Sequence, residues 1–232
     1  MSLHDGHRKR VIDTFLQNGM DGMHPHEILE MLLFYAIPRK DTNETAHLLL
    51  DTFGSLSAVF DAPYEELLKI KGIGQNTAAL LKMIPQLARA YLSDGSIPRI
   101  IASFEDAAAC LVPKFIGRTK ETLFVLCLDN KNKLTACVMA GEGSVNSAEI
   151  SIRRIAEITV KYNAAAIVIA HNHPGGTAIP SKEDLDTTKK LMEFCKSIGV
   201  PLLDHLVVSD GDYVSMAQTG TLSRILQSYY GT

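Results

Sequence analysis

The chain has 232 residues, of which 46% are hydrophobic and 21% are charged, and its formal net charge is −3 at pH 7. These values are typical of a globular protein with an ordinary core, and they exclude an intrinsically disordered chain. The slight negative charge argues against a strongly basic nucleic-acid-binding protein. No apolar run resembles a signal peptide or a membrane span, so we expect a cytoplasmic protein without membrane contact.

The first 95 residues predict a domain built almost entirely of helices. Apolar stripes at helical spacing cover residues 26–35 and 42–53. A cluster of turn-forming residues follows at 93–98 and is the best candidate for a linker. The sequence therefore predicts an all-α domain over residues 1–95 and a second domain over residues 103–232.

A glycine-rich turn, Gly72-Ile73-Gly74, joins two predicted helices near the end of the first domain. Glycines let the backbone come close to another surface, and the next helix begins with free amide groups, as in an anion site. The turn resembles the helix-hairpin-helix motif, which implies that Gly72, Ile73 and Gly74 hold a DNA phosphate. Residues 1–95 are slightly acidic, so strong electrostatic binding is not expected. Simple packing of the two helices, or a protein contact, is an equally good interpretation.

After the linker, strands alternate with helices, which predicts a compact α/β domain. Its four cysteines lack C-x-x-C spacing and lie in apolar surroundings, so we expect reduced core residues. The cysteines are Cys110, Cys127, Cys137 and Cys195. The predicted strands cover 121–128, 133–139, 164–170, 201–208 and 213–216, and the predicted helices cover 103–115, 147–162 and 181–198.

The most informative segment is AIVIAHNHPGGTAIPSKEDLD, residues 166–186. The predicted buried strand over 164–170 leads directly into His171 and His173, which point to the same side because side chains alternate along a strand. Asp184 lies in the first turn of a helix for which Ser181 is the predicted N-cap. Imidazole nitrogens and a carboxylate suit Zn²⁺, and three protein ligands leave a fourth position for water. An ordinary turn with a capping box is the alternative, but turn chemistry does not require two histidines.

Several known zinc enzymes do not match this chain. A TIM-barrel metal hydrolase needs roughly 250 residues, which exceeds the length of the second domain. Zinc deaminases require His-x-Glu and a later Pro-Cys-x-x-Cys, and both are absent from the sequence. The His-Glu-x-x-His motif of many metalloproteases is absent as well.

The spacing of His171, His173, Ser181 and Asp184 matches the metal-binding motif of JAB/MPN (JAMM) metalloproteins, and the whole chain resembles the bacterial RadC family. The resemblance implies an α/β, JAB/MPN-like and cytidine-deaminase-like, C-terminal domain behind an all-α helix-hairpin-helix domain. It also implies one Zn²⁺ per chain, with His171, His173 and Asp184 as ligands. Glu121, at the head of an early strand, would be the general base, and Ser181 would support Asp184 or stabilise an oxyanion.

The sequence departs from the family pattern at two places. Pro174-Gly175-Gly176 stands where the family commonly has Pro-Ser-Gly, and Arg153-Arg154 stands where it tends to have Arg-Glu. Neither change touches a predicted ligand. Asp204-His205 is a further candidate for contact with the ligands, although a core pair bonded to the backbone is an equally good interpretation.

Two functions follow from these patterns. The first is a zinc metallohydrolase of JAMM type that cleaves a peptide or isopeptide-like amide in a peptide or protein substrate. The alternative is a DNA-associated repair or binding protein that uses the helix-hairpin-helix turn, with a structural metal or a nuclease activity. The sequence indicates neither the substrate nor the oligomeric state.

Overall fold

The structure, a computed structural model, describes residues 3–38, 40–94, 100–143 and 148–230. The chain forms two compact units, Met1–Leu87 and Ala88–Thr232. Residues 95–98 of the predicted linker lie outside the described residues, as does residue 147, the predicted start of a helix. The predicted domain limits, 1–95 and 103–232, stay predictions.

The first unit is helical, as predicted. Its helices are α1 (Leu3–Asn18), α2 (Pro25–Ala36), α3 (Asn43–Phe53), α4 (Leu56–Asp61), α5 (Tyr64–Leu68) and the beginning of α6 (Gln75–Asp94). Leucines from α2, α3, α5 and α6 are fully buried in one core and include Leu29, Leu49, Leu67 and Leu81. The apolar stripes read from the sequence therefore face each other.

The second unit is a five-stranded mixed sheet with helices, which confirms the predicted α/β class. Its elements are α7 (Phe104–Leu111), a 3₁₀ turn (Val112–Phe115), β1 (Thr122–Leu128), β2 (Leu134–Glu142), α8 (Ala148–Lys161), β3 (Ala166–Asn172), α9 (Lys182–Ser197), β4 (Leu202–Ser209), β5 (Asp212–Ser215) and α10 (Thr221–Tyr230). The strand order is β2-β1-β3-β4-β5, and only the neighbours β3 and β4 are parallel.

The central strand β3 is buried along its whole length because apolar layers cover both faces of the sheet. Val168 and Ala170 belong to the layer that includes α7, and Ile167 and Ile169 belong to the layer that includes α8 and α9. This explains why the β3 sequence is continuously apolar and does not alternate with polar residues. By the same alternation, His171 faces the side of the sheet that α9 covers.

Strand β3 ends later than predicted, since it includes His171 and Asn172. Its neighbours supply hydrogen-bond partners there. Leu123 of β1 pairs with His171, Val208 of β4 pairs with Asn172, and the amide of His173 donates to the carbonyl of Val208 at 2.8 Å. The first histidine is therefore fixed on a central strand, which is more rigid than a loop.

Burial governs the chemistry of the cysteines. Cys110, Cys127 and Cys195 are buried and Cys137 is half-buried. Burial raises the pKa of each thiol to about 11, so none of the four is a thiolate near neutral pH. Among the described residues, no helix is both long and apolar enough to cross a membrane.

Candidate metal centre

The structure brings His171, His173 and Asp184 together at the end of β3. Nε2 of His171 lies 2.9 Å from Nε2 of His173 and 3.0 Å from Oδ1 of Asp184. Nε2 of His173 lies 3.2 Å from Oδ2 of Asp184. Among the described residues, these three side chains form the one group of histidine, cysteine and acidic residues arranged to hold a metal ion.

Asp184 is held on the first turn of α9 by a capping box with Ser181, as predicted for the local structure. The backbone amide and the hydroxyl of Ser181 both donate to Oδ2 of Asp184 at 2.7 Å, and the amide of Asp184 donates to the Ser181 hydroxyl at 3.1 Å. Burial by itself raises the pKa of Asp184, but the neighbouring His171 and the hydrogen bonds from Ser181 outweigh it and leave the pKa lowered. Asp184 is therefore an ionised acceptor.

His173 is oriented by the loop that follows it. Its Nδ1 lies 2.9 Å from the carbonyl oxygen of Thr177, which can only accept, so Nδ1 carries the proton and Nε2 has a free lone pair. The Ser209 hydroxyl lies within hydrogen-bond distance of the carbonyls of His173 and Gly176, at 3.1 and 2.9 Å, and its one proton is shared between them. Gly175 has a φ of +67°, a conformation that favours glycine.

His171 is oriented by a buried neighbour on β4. Its Nδ1 lies 2.8 Å from Nε2 of His205, and Nδ1 of His205 lies 2.6 Å from the hydroxyl of Thr188. Burial, reinforced by His171, holds the pKa of His205 well below its usual range, although Asp184 acts in the opposite direction. His205 is therefore neutral near pH 7.

The Asp204-His205 pair divides between two roles. Asp204 accepts from the amides of His205 and Ala217 and from the hydroxyl of Ser215, so it fastens β4 to β5 and the following turn. His205 lies on the other face of β4 and contacts a predicted ligand. Alternation along the strand explains the division.

The three side chains suit a zinc ion. Two imidazole nitrogens and a carboxylate oxygen are zinc ligands, and half-buried positions shield them from competing water. Zinc bonds of about 2.0–2.1 Å in tetrahedral geometry place neighbouring ligand atoms roughly 3.4 Å apart, so the side chains need to move by only a few tenths of an ångström. The residues fit the ion, and their assignment as zinc ligands stays a prediction.

Glu121, the predicted general base, is exposed immediately before β1. Leu123 pairs with His171, and continuing this antiparallel register by two residues puts Glu121 opposite His173, on the same face of the sheet. The side chain of Asn172 fixes this strand start by accepting from the amide of Thr122 at 2.7 Å. The register therefore favours Glu121 as the base, a role that stays a prediction.

The arginines that depart from the family pattern lie on the outer side of α8. Arg153 and Arg154 both form ion pairs with Glu157, at 3.4 and 2.9 Å. Arg154, which stands at the family's acidic position, is half-exposed and forms its ion pair within its own helix.

The glycine-rich turn of the first unit has the predicted local geometry. Gly72 has a φ of +93°, and Ile73 is buried in the helical core. A Cβ atom added at Gly74 would meet no atom within 4 Å. Lys69, however, pairs with Glu66 at 2.6 Å. A DNA-binding role for Gly72, Ile73 and Gly74 stays a prediction.

Thr188 and Asn172 were not predicted from the sequence as residues of the site. Thr188 lies one helical turn after Asp184, so a polar residue on the same face of α9 is a signal that could have found it. Asn172 stands between the two histidines, and its contact with β1 depends on strand order, for which the sequence has no local signal.

Comparison with known proteins agrees with this geometry. A family model described as the RadC-like JAB domain matches residues 101–221. UPF0758 protein SPO0054 of Ruegeria pomeroyi is 33% identical over 217 residues, which cover 93% of this chain and 97% of that protein. UPF0758 protein FN0909 of Fusobacterium nucleatum is 32% identical over 225 residues, which cover 94% of this chain and 97% of that protein. The resemblance first seen in the histidine motif extends over nearly the whole chain, which belongs to the RadC family.

Proposed function

We propose that this protein is a zinc-dependent hydrolase that cleaves a peptide or isopeptide amide bond in a peptide or protein substrate. The observation that carries the proposal is the convergence of His171, His173 and Asp184 on one point at the end of β3. The RadC-like JAB domain supports a metal-dependent hydrolase. Zinc as the metal and an amide as the substrate belong to the proposal.

The chemistry divides between the ion and the chain. A zinc ion supplies Lewis-acid activation of a water molecule and of a carbonyl group. The Glu121 carboxylate accepts a proton from the attacking water and returns it to the leaving nitrogen. The Ser181 hydroxyl holds Oδ2 of Asp184 in the structure, and a rotation about its Cα–Cβ bond frees it to donate to the developing oxyanion.

Metal content and hydrolysis measured together test the proposal. We expect about one zinc per wild-type chain and cleavage of fluorogenic peptides or lysine-linked isopeptides. Asp184→Ala should lose both zinc and hydrolysis. Glu121→Gln should keep zinc and lose hydrolysis by at least about 10²-fold, because a general base contributes that much.

Matched controls separate these effects from general damage. Asp186→Ala makes the same change on an exposed position of α9, and Glu105→Gln makes the same change on an exposed position of α7. Both controls should retain zinc and activity. A folded wild-type protein that binds no zinc, or a Glu121→Gln variant with full activity, would contradict the proposal.

DNA binding through Gly72-Ile73-Gly74 is the second candidate. It is favoured by the open space at Gly74 and by the long helix α6 that begins at the next residue. Gly74→Glu introduces a negative charge without a clash and should abolish duplex binding if the turn holds a phosphate. Affinity that is unchanged by this substitution and by salt would exclude phosphate binding by the turn.

A further inference from the structure

The Thr188 hydroxyl contacts three groups, which are the Asp184 carbonyl, Nδ1 of His205 and, at 3.7 Å, the sulfur of Met216. Oγ1 of Thr188 lies 2.6 Å from the carbonyl oxygen of Asp184 and 2.6 Å from Nδ1 of His205, and the residue is fully buried. A carbonyl can only accept, whereas Nδ1 of His205 can donate, so both short contacts hold a proton only when Thr188 donates its single proton to the Asp184 carbonyl. Towards His205 the hydroxyl therefore offers only lone pairs, and Nδ1 of His205 must carry a proton.

The proton on Nδ1 of His205 in turn determines where His171, the first histidine of the motif, carries its proton. The nitrogens of the buried His205 ring contact the Thr188 hydroxyl and Nδ1 of His171, neither of which is a carboxylate that would stabilise a second proton, so a proton on Nδ1 leaves Nε2 as an acceptor. Nε2 of His205 lies 2.8 Å from Nδ1 of His171, and a proton is needed between these two nitrogens. His171 must supply it from Nδ1. Its own Nε2 then presents a lone pair towards His173 and Asp184.

We propose that Thr188 and His205 are positioning residues that hold His171 in the Nδ1–H tautomer and direct its Nε2 lone pair at the metal position, a role that rests on the proposed function. The backbone carbonyl of Thr177 does the same for His173. The proton acceptor behind a metal-binding histidine is commonly a carboxylate or a carbonyl. Here a second histidine takes that place, and a threonine on the helix of Asp184 fixes its tautomer.

The arrangement links two of the three predicted ligands, Asp184 and His171, through one buried chain of hydrogen bonds. The chain runs from the Asp184 carbonyl through Thr188 and His205 to His171. Every proton in it points away from the metal position. Nε2 of His171, Nε2 of His173 and the Asp184 carboxylate lie within 3.2 Å of one another, and with the outward nitrogens protonated all three can direct lone pairs at a cation.

Tautomers measured in the metal-free wild-type protein test the proposal directly. Long-range ¹H–¹⁵N spectra at pH about 9, well above the ordinary histidine pKa of about 6.5, distinguish the two neutral tautomers. We expect the proton on Nδ1 in both His171 and His205. A proton on Nε2 of either ring in the folded wild type would overturn the proposal, and this measurement needs no variant.

Substitution of Thr188 adds a test that a merely structural role would not satisfy. Thr188→Val keeps the side-chain shape but removes the acceptor for His205, so His205 and His171 should shift towards Nε2–H. Zinc affinity, measured by chelator competition, should fall about tenfold or more, as for other residues that orient metal ligands. Thr188→Ser keeps the hydroxyl and should restore both the tautomers and the affinity.

Thr159→Val is the matched control, because the buried Thr159 hydroxyl also bonds a carbonyl four residues earlier, at 2.7 Å from Ile155, on a different helix. It should change neither tautomers nor zinc affinity. A Thr188→Val protein with unchanged tautomers, or an equal affinity loss in Thr159→Val, would overturn the proposal. A wild type with both Nδ1–H tautomers but no zinc affinity would contradict the proposed function while supporting the tautomer assignment.

Discussion

The metal centre of the α/β unit and the glycine-rich turn of the helical unit both began as short sequence motifs, but their side chains are used differently. At the metal centre, the nitrogen of each histidine that faces away from the site is bonded to the surrounding fold. The nitrogen that faces the site is therefore free to bind. Tertiary contacts thus complete this motif.

At the glycine-rich turn, tertiary contacts engage positive charge that the motif could have used. The Lys82 ammonium donates to the carbonyls of Phe60, Asp61 and Ala62 at the end of α4, at 2.9 to 3.2 Å. Lys69 is paired with Glu66. A sequence motif therefore marks a strong candidate site when its functional atoms remain available for a ligand and its other polar atoms are hydrogen-bonded within the fold.

Zinc should stabilise one unit and leave the other unchanged. At a free zinc concentration 100 times Kd, we expect about 2.7 kcal/mol of stabilisation in the α/β unit, because the ion binds only the folded site. Hydrogen exchange of core amides such as Val168 should slow about a hundredfold, while that of Leu33 in the helical unit should not change. Equal slowing at both residues, or slowing that persists in Asp184→Ala, would contradict a site confined to the α/β unit.

Asn172→Ala should destabilise the α/β unit by about 2 kcal/mol. It leaves the amide of Thr122 without its acceptor at a buried strand start, and an unsatisfied buried donor is costly. Urea unfolding measures the loss. Asn130→Ala, in the exposed turn after β1, is the control and should stay within about 0.5 kcal/mol of wild type. If the two variants had equal stability, Asn172 would have no role in fixing the start of β1.

Lys82→Met should cost the helical unit about 1 kcal/mol, because methionine keeps the apolar stem but loses the bonds to three carbonyls. Burial lowers the pKa of this lysine although Asp61 acts in the opposite direction, so the ammonium is partly desolvated. Thermal unfolding checks the change, with Lys71→Met at an exposed position as the control. A larger loss in Lys71→Met would show that Lys82 does not cap α4.

Near neutral pH, where their contribution to stability does not change with pH, the four thiols of the α/β unit should give the smallest effect. Their pKa is raised from about 9 to about 11 in the folded state, so the folded protein binds more protons in that interval. Their contribution to stability is complete below pH about 9 and is lost as the pH rises through about 11. Thiol labelling of the native protein at pH 8 should be far slower than in urea. Equal labelling rates would show that the thiols are not protected.

Several features of the fold and the site follow from local sequence signals. The apolar run before His171 predicts a buried strand, and the Ser181-to-Asp184 spacing predicts the capping box that the structure contains. These signals work because strand alternation and helix capping depend on residues close in sequence. Neither α1 nor α10 was predicted individually, and the end of β3 was placed two residues early, because pairing with β1 and β4 extends the strand.

The sequence by itself determined the family, the α/β class and the identity of the candidate ligands, since each depends on residue types at fixed spacing. Only the tertiary structure decided which residues form hydrogen bonds to those ligands on the side away from the metal position. His205 reaches His171 because β4 lies beside β3, and Thr188 reaches His205 because α9 covers that face. The physical reason is that the position of each proton depends on atoms brought together by sheet order and helix packing, far apart along the chain.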